Sequence, residues 1–224
     1  MMGMLASIGI EPGKSFNPDE TTKKAMKAAV VDAYFYMLQN YLNPKPEQLY
    51  WPDRKYITFF APDAKRGFEY ETGTSLQLDA RSWQYFLGTY FPKTLGPRPA
   101  TMYIGPVADS DGNPLAGGAT YKVTIPKDMP VKQFWSVTVY DQATFAFIYN
   151  PLNRAGLSTF DMKTMQKNAD GSVTIYIGPK APDGLEANWI PTEGKRPLPC
   201  IRLYGAEQAF FDKTFKMPDF ELVK

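Results

Sequence analysis

The stretch FWSVTVYDQATFAFIYNPLNR, residues 134–154, carries an alternating apolar run into a carboxylate, Asp141, and then into Asn150 and Arg154. A carboxylate at a strand end can serve as a general base, or pair with a second acid across a glycosidic bond. The same residue type is common there for a plainer reason: its oxygens accept backbone hydrogen bonds from the turn that follows. Arg154 offers a planar guanidinium that grips a carboxylate through two parallel hydrogen bonds. The intervening QATFAFIYNPLN reads as a short return that would bring Arg154 back to Asp141. Further on, ANWIP sets an amide, Asn188, beside an indole, Trp189. That pair holds a sugar ring by stacking and hydrogen bonding, unless the tryptophan is buried and simply pins its loop. Arg202 and Tyr204 alternate with Ile201 and Leu203 in CIRLYG, so they share the opposite face of one strand. Arg154, Asn188, Trp189, Arg202 and Tyr204 are the expected ligand-binding residues, and Asp141 is the candidate for catalysis.

What is missing narrows the chemistry further. The 224 residues include no histidine. This removes Ser-His-Asp and Cys-His mechanisms within the chain, and zinc sites built on imidazole. Hydrolysis would have to use carboxylates, with Asp161 and Glu186 as the acids to set against Asp141, or a water activated by an oxygen-ligated metal. Two acidic turns, DSDGN at 109–113 and NADGS at 168–172, superficially suggest calcium. Calcium needs six or more oxygens, and the acid expected at the far end of the first loop would fall on Thr120. No metal and no cofactor are therefore expected. The single cysteine, Cys200, can form no internal disulfide, and its strand-like setting reads as a buried thiol. The net charge of +2 comes from interspersed Lys, Arg, Asp and Glu. That pattern argues against nucleic acid, which needs a basic face, and against an anionic membrane. No apolar run approaches the roughly 20 residues of a membrane-spanning helix. The opening MMGMLASIGIEPGKSF lacks the pattern of a secretory signal, and the compartment stays open.

The elements that must position these residues follow from periodicity. Residues 17–42 read as a helix, with Asn17 as cap, Pro18 in the first turn and Glu20 closing a capping box. Val30, Ala33, Tyr34, Met37, Leu38 and Tyr41 recur at helical spacing. Residues 47–78 are aromatic-rich and irregular, a long connection of the kind that is often functional. LDARSWQYFLGTYF suggests a second helix capped by Asp79, with Trp83, Phe86 and Leu87 on one face. From residue 100 the period becomes two, in TMYIGPVA, ATYKVTIP, FWSVTVYD, TFAFIY, SVTIYIGP and CIRLYG. Trp135, Val137 and Val139 should form a buried face against Ser136, Thr138 and Tyr140. Successive strands without intervening helices predict an α+β protein. A helical and irregular segment over 1–99 precedes an antiparallel, jelly-roll-like β-sandwich over 100–224.

Three runs in order, DGNPLAGGATYKVTIPKDMPVKQFWSVTVYD, NADGSVTIYIGPKAPDGLEANWIPT and IRLYGAEQAFFDKTFKMPDFELV, resemble a bacterial family, domain of unknown function 1214. Its members commonly follow a partner, domain of unknown function 1254, and LASIGIEPGKSF and LDARSWQYFLG are similar to the segment that joins the two. The resemblance implies a β-sandwich, the C-terminal half of a two-domain protein, and an N-terminal partner domain absent from this chain. Longer members often look exported. It supplies no catalytic set to carry over, though hydrolytic activity has been proposed for such proteins.

Two functional classes therefore stand side by side, with a structural one behind them. The first is a binding module holding a small molecule or glycan in a cleft lined by Trp189, Arg154, Arg202 and tyrosines. The second is a hydrolase built on Asp141 and another carboxylate or a metal. The third is self-association: helix 17–42 is apolar around much of its circumference, wider than the stripe one packed face needs, and predicts a two-fold homodimer.

Overall fold

The computed structural model describes residues 5–44, 46, 49–58, 71–72, 75–76 and 100–224. The expected second helix with Asp79 lies outside the described residues, as does most of the irregular segment after residue 58. The chain divides into two compact units, Met1–Tyr41 and Leu42–Lys224.

The first unit is dominated by helix α1, Glu20–Leu42. Its cap is Asp19 rather than Asn17. The Asp19 carboxylate accepts a hydrogen bond from the Thr22 amide at 2.7 Å, and its carbonyl accepts one from Lys23 at 2.9 Å. Asp is as good a cap as Asn, and a cap at position 19 leaves Pro18 outside the helix, where its fixed φ and missing N–H cost nothing. The Thr22 hydrogen bond holds the exposed Asp19 carboxyl below the usual carboxylate range. Tyr34, Met37, Leu38 and Tyr41 are half-buried to buried, whereas Val30 and Phe35 are 70% and 60% exposed. The broad apolar circumference expected from the sequence is present.

The second unit holds two sheets. The five-stranded sheet runs β1–β4–β10–β6–β7, from β1 (Tyr56–Thr58), β4 (Thr101–Pro106), β10 (Pro197–Ala206), β6 (Val131–Asp141) and β7 (Gly156–Ser158). The four-stranded sheet runs β11–β5–β8–β9, from β11 (Glu221–Leu222), β5 (Tyr121–Ile125), β8 (Val173–Gly178) and β9 (Trp189–Pro191). A separate two-stranded ribbon pairs β2 (Glu71–Thr72) with β3 (Ser75–Leu76). Every pairing is antiparallel except β8 with β9, so the chain is an α+β sandwich preceded by a helix.

Strict alternation decides which face of each sheet is core. Ile104, Ile201, Val137 and Leu157 stand in register across β4, β10, β6 and β7, and all are buried. Met102, Leu203 and Trp135 form the next row. Val123, Ile125, Val173, Ile175 and Ile177 do the same for the other sheet. Trp135, Val137 and Val139 are buried as the alternation requires.

Two stretches depart from expectation. TFAFIY is not a strand. The Asp141 carbonyl accepts the amides of Thr144 and Phe145 at 3.2 and 2.7 Å, Phe145 sits at φ +55°, and the chain turns back. A single bridge, Tyr140 to Phe147, remains of the expected pairing. The second departure lies in the irregular segment, which contributes β1. Tyr50, Trp51 and Tyr56 pack with Phe210, Phe215 and Phe220, and the short helix α2 (Gln208–Phe211) lies in that cluster. The Tyr50 hydroxyl donates to the Phe210 carbonyl at 2.8 Å and that of Tyr56 to the Pro218 carbonyl at 2.7 Å.

Candidate functional site

Asp141 ends β6 on the core side of the sheet and is buried. Its Oδ1 accepts the Ala143 amide at 3.1 Å and its Oδ2 accepts the Thr144 hydroxyl at 3.0 Å. Among the described residues, Lys195 pairs with it, its Nζ 3.8 Å from Oδ2. These are the bonds of a turn-stabilising aspartate. The expected pairing with Arg154 does not form. Arg154 Nη1 instead donates to two carbonyls, Glu186 O at 2.6 Å and Trp189 O at 3.0 Å. The return through 142–153 closes on itself, because buried Asn150 ties Ile148 O, Arg154 O and the Arg154 amide together. The guanidinium is thereby aimed at the 186–189 segment.

That segment is equally saturated. The Asn188 side chain is buried, accepts the Gln166 amide at 2.8 Å, and donates to the carbonyls of Gln166 and Thr174 at 2.9 Å each. Trp189 opens β9 rather than lying in a loop, and its indole N–H donates to Gly178 O at 2.9 Å. Arg154, Asn188 and Trp189 thus meet in one network whose partners are backbone groups. The other two acids are engaged locally: Asp161 Oδ2 accepts the Ser158 amide and hydroxyl, and Glu186 Oε1 accepts the Gly184 amide. The acidic turns are likewise internally bonded, through Asp109 to the amides of Asp111 and Asn113, and through Asp170 to Ser172. Among the described residues no group of three or more His, Cys, Asp or Glu side chains could hold a metal ion. No helix there is long and apolar enough to cross a membrane.

Arg202 and Tyr204 belong elsewhere. Trp189 pairs in register with Tyr176, which alternates with core Ile175 and Ile177, so Trp189 faces outward from the four-stranded sheet. Arg202 faces outward from the five-stranded sheet, in register with Tyr103 on one side and Ser136 on the other. One cleft cannot be lined by both, because the core lies between them.

The Arg202 surroundings are aromatic. Its guanidinium carbon lies 5.4 Å from the Tyr103 ring centre and 6.0 Å from that of Tyr140, and Nη2 donates to the Tyr140 hydroxyl. Tyr204 stacks on Phe134 with ring centres 4.0 Å apart. Arg202 Nε is buried and unpartnered, and no carboxylate among the described residues pairs with this half-buried side chain. The neighbouring acids do not neutralise it. Burial pushes the Cys200 thiol up to about 11, and burial also raises the Tyr140 and Tyr103 hydroxyls despite the opposing pull of Arg202. Among the described residues, therefore, no negative charge offsets this cation at neutral pH. Arginine is seldom withdrawn from water without an anion to match it. Sequence reading marked Arg202 and Tyr204 but missed Tyr103, Phe134 and Tyr140. The alternation in TMYIGP and FWSVTVYD held the signal, and only the strand pairing shows that the rings gather round one arginine.

A sandwich of nine described strands, largely antiparallel, with an outward-facing arginine–aromatic cluster is the class of protein these observations define. Residues 100–208 match the family model described as protein of unknown function, DUF1214. No curated protein matches the chain. Among solved structures, the chain is similar to the VPA0106 protein from Vibrio parahaemolyticus. It shares 23% identity at a TM-score of 0.54, with 100% of this chain and 50% of that one covered. A putative uncharacterized protein from Burkholderia cenocepacia aligns at 14% identity and a TM-score of 0.37, over 99% of this chain and 47% of that one. The chain spans about half the length of these structures. The first supports the sandwich fold.

Proposed function

We propose that the chain is a binding module that takes a small molecule or a glycan on the outer face of its five-stranded sheet. The observation that carries this reading is Arg202: a half-buried cation, lacking a carboxylate partner among the described residues and framed by Tyr103 and Tyr140. Guanidinium supplies directional donors for a ligand oxygen, and flat rings supply apolar faces for a ligand ring. The hydrolase alternative has less support, since Asp141 spends both oxygens on its own turn and Asp161 and Glu186 each accept a local amide. The test is a two-dimensional NMR titration with a panel of single-ring probes: galactose, galacturonate and benzoate. Shifts should concentrate on Tyr103, Tyr140, Arg202 and Tyr204 and vanish in Arg202→Gln. Shifts confined to another surface, or none at millimolar probe, would refute this reading.

A second reading concerns helix α1. Exposed Val30, Val31, Phe35 and Tyr36 favour a cover for this surface. Burying apolar area is worth about 25 cal/mol per Å². That cover is a second copy in a two-fold dimer, or the domain that precedes this one in two-domain relatives. Light scattering over a dilution series should give a dimer mass that Phe35→Glu reduces. A monomer mass persisting at high concentration excludes the dimer.

A further inference from the structure

The sheet face that holds Arg202 carries more than its arginine, and the ligand class it points to rests on the binding reading above. Along β6, Phe134, Ser136, Thr138 and Tyr140 point outward together. At about 3.3 Å per residue, Phe134 and Tyr140 stand about 20 Å apart. Each carries an exposed ring beside it. Phe160, 73% exposed, lies 5.1 Å from Phe134, and Phe147, 60% exposed, stacks on Tyr140 at 4.9 Å and 17°. An exposed phenylalanine braced on a sheet aromatic is a fixed platform whose outer face remains in water.

Between the platforms the floor is low and polar. Ser136 pairs with Ser158, and Thr138 pairs with Gly156. A Cβ at Gly156 would fall 2.5 Å from Val137 O, so nothing larger can rise there. The hydroxyls of Ser136 and Thr138 bond no described residue, and Arg202 stands beside Ser136 on the adjoining strand. The surface is thus a trough about two ring-stacking platforms long, with hydroxyls beneath and, among the described residues, one positive charge at its side. Lys132, on the same face, lies four residues from Ser136, about 13 Å along the strand, too far to share an anion with Arg202. One guanidinium matches one carboxylate in charge and in geometry.

We propose that this trough binds an acidic oligosaccharide, with ring faces on Phe147 and Phe160 and a uronate carboxylate on Arg202. The length separates it from a single-ring ligand, the paired platforms from a peptide strand, and the single charge from a phosphate-rich chain. Calorimetry with tetragalacturonate, its methyl ester and neutral cellotetraose tests it. The acid should bind at least tenfold tighter than either neutral probe. Arg202→Gln should abolish that preference, while Phe147→Ser and Phe160→Ser should weaken all binding several-fold with unchanged near-ultraviolet circular dichroism. Should Arg202→Gln misfold, the methyl ester and the two surface variants still decide. Equal affinity for acid and neutral probes, no binding of the acid, or indifference to both phenylalanine variants overturns the proposal. If single-ring probes still perturb the face in that event, only the ligand class falls; if they do not, the binding reading falls with it.

Discussion

Asp141 illustrates how a residue fit for catalysis serves structure. It sits buried at a strand end, yet both oxygens are committed to Ala143 and Thr144. Asp141→Ala should leave those donors unpaired and lower stability by about 1–3 kcal/mol, read as a shift of the urea midpoint. A neutral substitution would show that the turn does not depend on it. Cys200 makes a prediction in pH. Its thiol is neutral in the fold and titrates only near pH 11, above its ordinary value near 9. The native state therefore keeps its proton where the unfolded state loses it. This contribution to stability is fully present below pH 9 and is lost as pH rises towards 11. Cys200→Ala should flatten stability measured across that window relative to the parent, and iodoacetamide should label the native thiol slowly at pH 8. Rapid labelling would mean that the outer sheet face opens readily.

Strand β6 links core and surface in one element: Trp135, Val137 and Val139 fill the sandwich, and Phe134, Ser136, Thr138 and Tyr140 build the trough. Trp135→Ala should cost about 3–5 kcal/mol, as for other large buried side chains. A loss under about 1 kcal/mol in a denaturant titration would contradict the buried setting of that row. Because the faces are independent, Phe160→Ser should leave the same midpoint nearly unchanged, as exposed substitutions usually do.

Across the whole molecule, the second unit is closed by contacts of very long range in sequence. Trp51 is fully buried among Tyr50, Tyr56, Phe210 and Phe215, and Lys55 N donates to Asp219 Oδ1 at 2.8 Å. The Trp51 indole N–H is buried without a partner. Trp51→Phe should therefore cost little, because it removes an unsatisfied donor along with some volume. Trp51→Ala should cost about 3–5 kcal/mol and detach residues 49–58 from the C-terminal segment, visible as faster amide exchange in both. Equal losses for the two substitutions would mean that the indole N–H has a partner in solution.

Local rules carried a good part of this fold. The period-two runs from residue 100 specify strands, and alternation specifies which side of β6 is core, because a side-chain period of two leaves one choice of face. Helix α1 was legible from its 3.6-residue spacing, although Asp19 took the cap from Asn17. The same rules misled at TFAFIY, whose alternation suits a strand but whose path is dictated by carbonyl and carboxylate bonds from Asp141. They also could not place β1, which pairs with β4, or the Trp51 cluster, whose C-terminal partners lie some 160 residues away. For the site, composition marked Arg154, Asn188, Trp189, Arg202 and Tyr204 alike. Strand order alone sends Trp189 and Arg202 to opposite outer faces, engages the first three in bonds to backbone carbonyls, and leaves Arg202 among rings without a carboxylate among the described residues. Residue type follows from the chain itself, whereas a guanidinium's partner depends on which strands become neighbours, and that is settled only when the sheets assemble.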